Sequence, residues 1–160
     1  MRRPLSTLFA AALTISAVAV SAAVALPRPL AIGRAGFTVA AAVADWTAKL
    51  AGKDGRKLTG SAVAKPTADG AGTEVTVTLD GDTPGATRPW HIHAGSCAKS
   101  GGVVGAGRAY TPMTIDGKGH GTATAKLAVA LADTTTYYVN IHDAAAAMGI
   151  IVACGDLAKH

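Results

Sequence analysis

The clearest pattern along the chain is the alternation of apolar and polar residues in "TEVTVTLD", residues 73–80. Val75, Val77 and Leu79 fall on one face, and Glu74, Thr76 and Thr78 on the other. Period two marks a half-buried β-strand. The rest of the chain beyond residue 45 repeats the theme more weakly, as short β-prone runs between turn signals. "WTAKLAG" (46–52) leads into "KDGRK", where Asp54-Gly55 suits a tight hairpin turn. "LTGSAVAK" (58–65) breaks at "PTADGAG", and "GDTPGATRP" (81–89) is a loop before a strand at "WHIHA" (90–94). Residues 98–109, "AKSGGVVGAGRA", are rich in glycine and read as an open loop. Asp116-Gly117 and Gly119 mark a further turn. "GTATAKLAVAL" (121–131) is strand or, from its alanines, helix; its position after a turn favours strand. "TTYYVNIH" (135–142) and "MGIIVACGDL" (148–157) complete the series, with room for one helical turn in "DAAAAMG" (143–149). About seven or eight strands at spacings of roughly ten residues predict an all-β sandwich or barrel.

The first residues have a different character. Arg2 and Arg3 precede a long uncharged apolar run that ends at Ala23-Val24-Ala25. A positive start, an apolar stretch and an A-x-A end form the layout of a secretory signal peptide. The competing reading is an uncleaved membrane anchor, since the run is about long enough to span a bilayer. A second A-x-A, Ala42-Val43-Ala44, puts a later cleavage in play. The expected organisation is a signal peptide at 1–25, a linker or leader remainder at 26–44, and one domain at 45–160. Such a domain of about 115 residues builds only a modest core. The 49% hydrophobic share overstates that core, because alanine dominates it and much of it lies in the leader. The formal net charge of +5 includes Arg2 and Arg3, and the remaining basic residues form no stripe. Nucleic-acid binding is therefore not expected. Once a leader is removed, neither is membrane association. Nothing in the pattern speaks to oligomeric state.

Cys97 and Cys154 are the two cysteines of the chain. In an exported protein two cysteines usually pair. A bridge between them would close a loop of roughly 60 residues, worth roughly 4 kcal/mol in the chain-entropy account. The alternative is a pair of free thiols, available to metal.

The chemistry gathers in "WHIHAGSC" and "YYVNIHD". Successive strand side chains point to opposite faces. Trp90 and Ile92 belong inside, which sends His91 and His93 outward. Likewise Val139 and Ile141 point inward, and Tyr138, Asn140 and His142 outward. If the two strands are neighbours, three imidazoles converge on one outer face. Imidazole suits copper, zinc, iron and nickel alike. Exposed histidines on a sheet often have no task, and the spacing alone does not choose between the two readings.

Taken together and in order, "WHIHAGSC", "VNIHD" and "VACGDL" resemble the Cu/Zn superoxide dismutase family over residues 46 to 157. The resemblance implies a Greek-key β-barrel of seven or eight strands with one Cys97–Cys154 disulfide. It implies His91, His93 and His142 as ligands of one copper ion. It further implies dismutation of superoxide to oxygen and hydrogen peroxide, and the leader's export pattern, for a secreted or periplasmic protein, fits family members outside the cytosol. "HIHAG…GGVV" and "YYVNIH" are also similar to chordin-type (CHRD) domains; the two cysteines and the "ACG" ending favour the dismutase-like reading.

The departures from the family pattern shape the expectation. The segment "AKSGGVVGAGRAYTPMTI" (98–115) has neither histidine nor acid, where the family carries a bridging histidine and its zinc ligands. Zinc is accordingly not expected. His120, in "DGKGHG", is a weak candidate for a replacement ligand, placed at a turn or strand start; Asp116 reads as a turn residue. Ile151 stands where the family has an arginine that attracts superoxide, and the charged guiding loop is missing. Arg108 could reach the site from the other loop. Loss of steering slows such a reaction without forbidding it. The expected partner is superoxide or the copper ion itself. The alternatives are a non-catalytic copper buffer or carrier, and a metal-free structural or interaction domain.

Overall fold

The computed structural model describes residues 45–160. The signal peptide, the linker and the competing anchor reading concern residues 1–44 and lie outside the described residues. Strands β1 (Trp46–Gly52), β2 (Thr59–Pro66), β3 (Thr73–Asp80), β4 (Thr87–Arg88), β5 (Trp90–Ala94), β6 (Met113–Thr114), β7 (Gly121–Leu127), β8 (Tyr137–His142) and β9 (Ile151–Lys159) follow in order. Two short 3-10 turns, Gly107–Ala109 and Ala145–Ala147, interrupt the loops. No helix among the described residues is long and apolar enough to cross a membrane.

The fold is all-β, a seven-stranded antiparallel sheet in the order β5-β8-β9-β1-β2-β3-β7. It curls into a half-barrel around a core of its inward side chains. Val75, Val77 and Leu79 of β3 are fully buried, as the period-two pattern requires. Trp90 and Ile92 of β5, Val139 and Ile141 of β8, and Leu50 of β1 join them in one cluster. "GTATAKLAVAL" resolves as strand through Leu127, because β7 is needed to pair β3 along its whole length. The β1–β2 hairpin turns at Asp54 (φ 52°) and Gly55 (φ 78°), the two positive φ values that a tight hairpin demands.

Two elements were too short to show a period. β4 and β6 form a two-stranded ribbon, with Thr87 opposite Thr114 and Arg88 opposite Met113. β6 leads to an isolated bridge between Ile115 and Gly121 at the start of β7, and β4 leads through Pro89 into β5. The ribbon thus spans the gap between the edges of the curled sheet. Met113 and Ile115 plug that gap, both fully buried. A Cβ on Gly121 would lie 2.6 Å from Met113 Sδ and from Ile115 Cδ1, so a glycine must stand there.

One expectation is corrected. Tyr138, Asn140 and His142 do lie on the face opposite Val139 and Ile141, but that face is not open. Every residue of β8 is buried. The cause is the bond between Cys97 and Cys154, 57 residues apart with Cα atoms 6.0 Å from each other. Cys97 also donates its backbone N–H to Asp156 Oδ1 at 2.6 Å. Both partners belong to β9, whereas Cys97 follows β5 by three residues. With β8 between β5 and β9, the chain after Ala94 must cross the outer face of β8.

Reducing or removing this bond should therefore do two things. Stability in denaturant titration should fall by about 2–5 kcal/mol, the usual range for a native disulfide in a small domain. Tyr138 fluorescence should become accessible to a soluble quencher. A Cys97→Ala/Cys154→Ala chain with wild-type stability would contradict the bracing role.

Candidate metal centre

β5 and β8 are hydrogen-bonded neighbours, with His91 opposite Asn140 and His93 opposite Tyr138. Cross-strand partners share a face, so the HxH pair and the outer residues of β8 meet. At the end of β8 the register slips between Ile141 and His142, and His142 pairs with Ile151. The backbone N–H of His142 donates instead to the Pro89 carbonyl at 2.8 Å. The three imidazoles gather there. Ring centroids are 5.4 Å apart for His91 and His142, 5.9 Å for His91 and His93, and 6.2 Å for His93 and His142. One nitrogen from each ring lies within 4.8 Å of the other two.

The atoms fit a cation. His91 Nδ1 and His142 Nε2 are 3.4 Å apart. Two nitrogens at about 2.0–2.1 Å from a shared ion, at a roughly tetrahedral angle, have that separation. His93 Nδ1 is 3.0 Å from the Gly101 carbonyl. A carbonyl only accepts, so Nδ1 carries the proton and Nε2 keeps its lone pair. That Nε2 is buried without a hydrogen-bond partner. A metal-binding histidine characteristically gives its other N–H to a carbonyl or carboxylate. His142 Nδ1 is also buried without a partner at hydrogen-bonding geometry, with the Met148 backbone beside it.

Burial disfavours the charged form of two of the rings. Burial lowers the His91 pKa to about 4, reinforced by the charges His142 and His93 would carry. Burial also lowers His142; the Met148 backbone opposes the shift and His93 adds to it. Neutral imidazole is the form that binds metal. Tyr110 meets His91 edge-on at 5.0 Å and Trp90 at 5.1 Å. Its hydroxyl donates to the Val104 carbonyl at 2.8 Å, and burial pushes the phenol pKa up to about 12. Tyr138 stacks on His93 at 5.2 Å. The rings are thus packed on their flanks as well as held at their backbones.

Other residues weighed from the sequence stand apart. His120 Nδ1 lies 2.7 Å from Asp80 Oδ1, and its Nε2 3.3 Å from Thr122 Oγ1. It sits just before β7 and outside the three-histidine group. Asp116 accepts the backbone N–H groups of Lys118 and His120 at 2.8 and 2.9 Å, as a turn residue does. Arg108, on the Gly107–Ala109 turn, lines a groove with Lys126 and Ala128. Two contributors leave no mark in the sequence: the Gly101 carbonyl and Tyr110. A glycine carbonyl or a tyrosine some twenty residues from its partner leaves no local signal.

What the arrangement provides is a half-buried cluster of three imidazole donors able to hold a metal ion. No protein-family model matches the chain, and no curated protein matches it.

The lowered pKa values make a prediction about the metal-free chain. The unfolded chain takes up protons at His91 near 6.5, while the folded chain resists until about 4. Between those values the unfolded state binds more protons, so stability rises with pH. The contribution is present above 6.5 and lost as pH falls toward 4. Urea titration after chelation should give a lower midpoint at about pH 5 than at about pH 7. The difference should shrink in His91→Gln, and equal midpoints in the wild type would contradict it.

Proposed function

We propose that this is an exported, dismutase-like protein that binds one copper ion through His91 Nδ1, His93 Nε2 and His142 Nε2. The observation that carries the reading is the three-nitrogen cluster with a proton-fixed tautomer at His93. Imidazole-only donors suit copper and exclude the hard, oxygen-seeking cations. The strand order, the HxH strand beside the VNxH strand and the bond from Cys97 to Cys154 support a Greek-key barrel like that of the Cu/Zn superoxide dismutases. The leader pattern and the disulfide support a secreted or periplasmic location.

Copper held by these residues supplies a one-electron redox couple, which is what the dismutation of superoxide requires. The chain's own part is to hold and shield. His93 is oriented by Gly101, His91 by Tyr110, and His142 by Pro89. Forming hydrogen peroxide from superoxide consumes protons. With no histidine or acid in residues 98–115, those protons come from solvent, and turnover is slower than with a bridging histidine. Zinc has no second cluster to occupy among the described residues.

A second reading, copper carriage without turnover, is favoured by the rim of the site. The large exposed apolar side chains among the described residues are Val103, Met148 and Ile150. Val103 bridges to His93, the Met148 backbone adjoins His142, and the Ile150 carbonyl accepts the Asp143 N–H. Such a rim does not attract an anion.

Copper titration of the purified chain, followed by electron paramagnetic resonance, should give one bound ion with a nitrogen-rich signature. His91→Ala/His93→Ala should lose it. Equal binding by that variant would sink the copper site. A superoxide assay then separates the readings: turnover above free buffer selects the dismutase, and tight binding without turnover selects the carrier.

A further inference from the structure

We propose that Arg88 is a positioning residue of the metal centre, which sets the place of His142 through a buried ion-pair clamp. The proposal rests on the three-histidine reading and extends it to a residue outside the cluster. The β8–β9 register slips between Ile141 and His142, which pairs with Ile151 across the irregularity. At this irregular end of the strand, the segment 88–89 adds a hold on both sides of the residue. Pro89 accepts the His142 backbone N–H at 2.8 Å. Arg88 Nη1 donates to the carbonyl of Asp143, the next residue, and to its Oδ1 at 2.7 Å.

Arg88 is itself held. It is 6% exposed, and Asp82 is 8% exposed. Its Nε and Nη2 reach Asp82 Oδ2 and Oδ1, both at 2.7 Å. Asp82 is anchored in turn, since its backbone N–H donates to the Gly119 carbonyl at 3.1 Å and its Oδ1 accepts the Thr83 N–H at 2.7 Å. The guanidinium therefore joins three pieces of chain: the turn at Asp82, the lead-in to the HxH strand, and the end of β8. Its planar fork meets Asp82 with two nitrogens while the third serves Asp143. A lysine ammonium, a single point of charge, cannot match that arrangement. Arg88 lies three residues before His91 in the chain, so the same clamp refers His142 to the strand that bears the other two donors. Arg56 Nη2 lies 3.8 Å from Asp143 Oδ1 and completes the charge balance at the exposed end.

The test compares the wild-type chain with Arg88→Lys and Asp143→Ala, using copper(II) as probe. Arg88→Lys should weaken copper binding by about tenfold, the lower end of what losing an outer partner costs. At saturating copper its paramagnetic spectrum should differ from wild type. Asp143→Ala keeps the Arg88–Asp82 pair and the backbone carbonyl, so it folds even if Arg88→Lys does not. It should show a smaller loss of affinity with a spectral change of the same kind. Lower unfolding temperatures with wild-type affinity and spectrum in both variants would make Arg88 purely structural and overturn the proposal. If the wild-type chain itself takes up no copper, the three-histidine reading falls and this proposal with it. That outcome is distinct because it needs no variant.

Discussion

The bond between Cys97 and Cys154 is the constraint on which the site depends. It ties the loop after the HxH strand to β9, and β8 lies between them. A sheet with one dry face and one wet face becomes, over this strip, buried on both sides. Tyr138, Asn140 and His142 are enclosed as a result, at 1%, 3% and 5% exposure. Burial lowers the pKa of His91 and His142, which favours the neutral rings, each with one nitrogen lone pair. The enclosure also brings the Gly101 carbonyl to His93.

That enclosure has a cost. His93 Nε2, Tyr138 OH, Asn140 Oδ1 and His142 Nδ1 are buried without partners, all on the outer face of β5 and β8. An unsatisfied buried polar atom typically costs about 1–3 kcal/mol. Native domains rarely concentrate such atoms unless the place has a task. A cation accounts directly for the lone pair on His93, whereas Tyr138 and Asn140 remain charges against stability that packing must offset. The fold offsets them with a core of fully buried valines, isoleucines and Trp90 on the other side of the same two strands. The metal-free site is in this sense a destabilised patch carried by a well-packed interior.

The strands were legible because a half-buried sheet writes period two into the chain, most plainly at Val75, Val77 and Leu79. Alternation also grouped Tyr138, Asn140 and His142 on one face and His91 with His93 on another strand's face, but the adjacency of β5 and β8 that brings the imidazoles together belongs to the fold. The ribbon of β4 and β6 was not legible, since two residues cannot show a period. The burial of the outer face was not legible either. It arises from a covalent tie between distant residues, and alternation reports which face a residue takes but not what covers that face. Arg88 is the extreme case. In "GDTPGATRP" it looks like a solvated loop cation, and only the tertiary fold supplies Asp82 and Asp143. A buried arginine is made tolerable by partners brought from elsewhere, so local sequence cannot announce it.

The charge around the cluster bears on which oxidation state of copper such a site would prefer. The three donors are imidazoles, and no carboxylate belongs to the group. The positive charge of Arg88 is taken up by Asp82 and Asp143. In a poorly solvated place without compensating anions, each added unit of positive charge is penalised. Were copper bound, the monovalent ion would therefore be favoured over the divalent one relative to a water-filled or carboxylate-bearing site. Three nitrogens also suffice for the low coordination that a monovalent copper ion accepts. If copper is the ion, as proposed, these surroundings would favour holding it over cycling it between oxidation states.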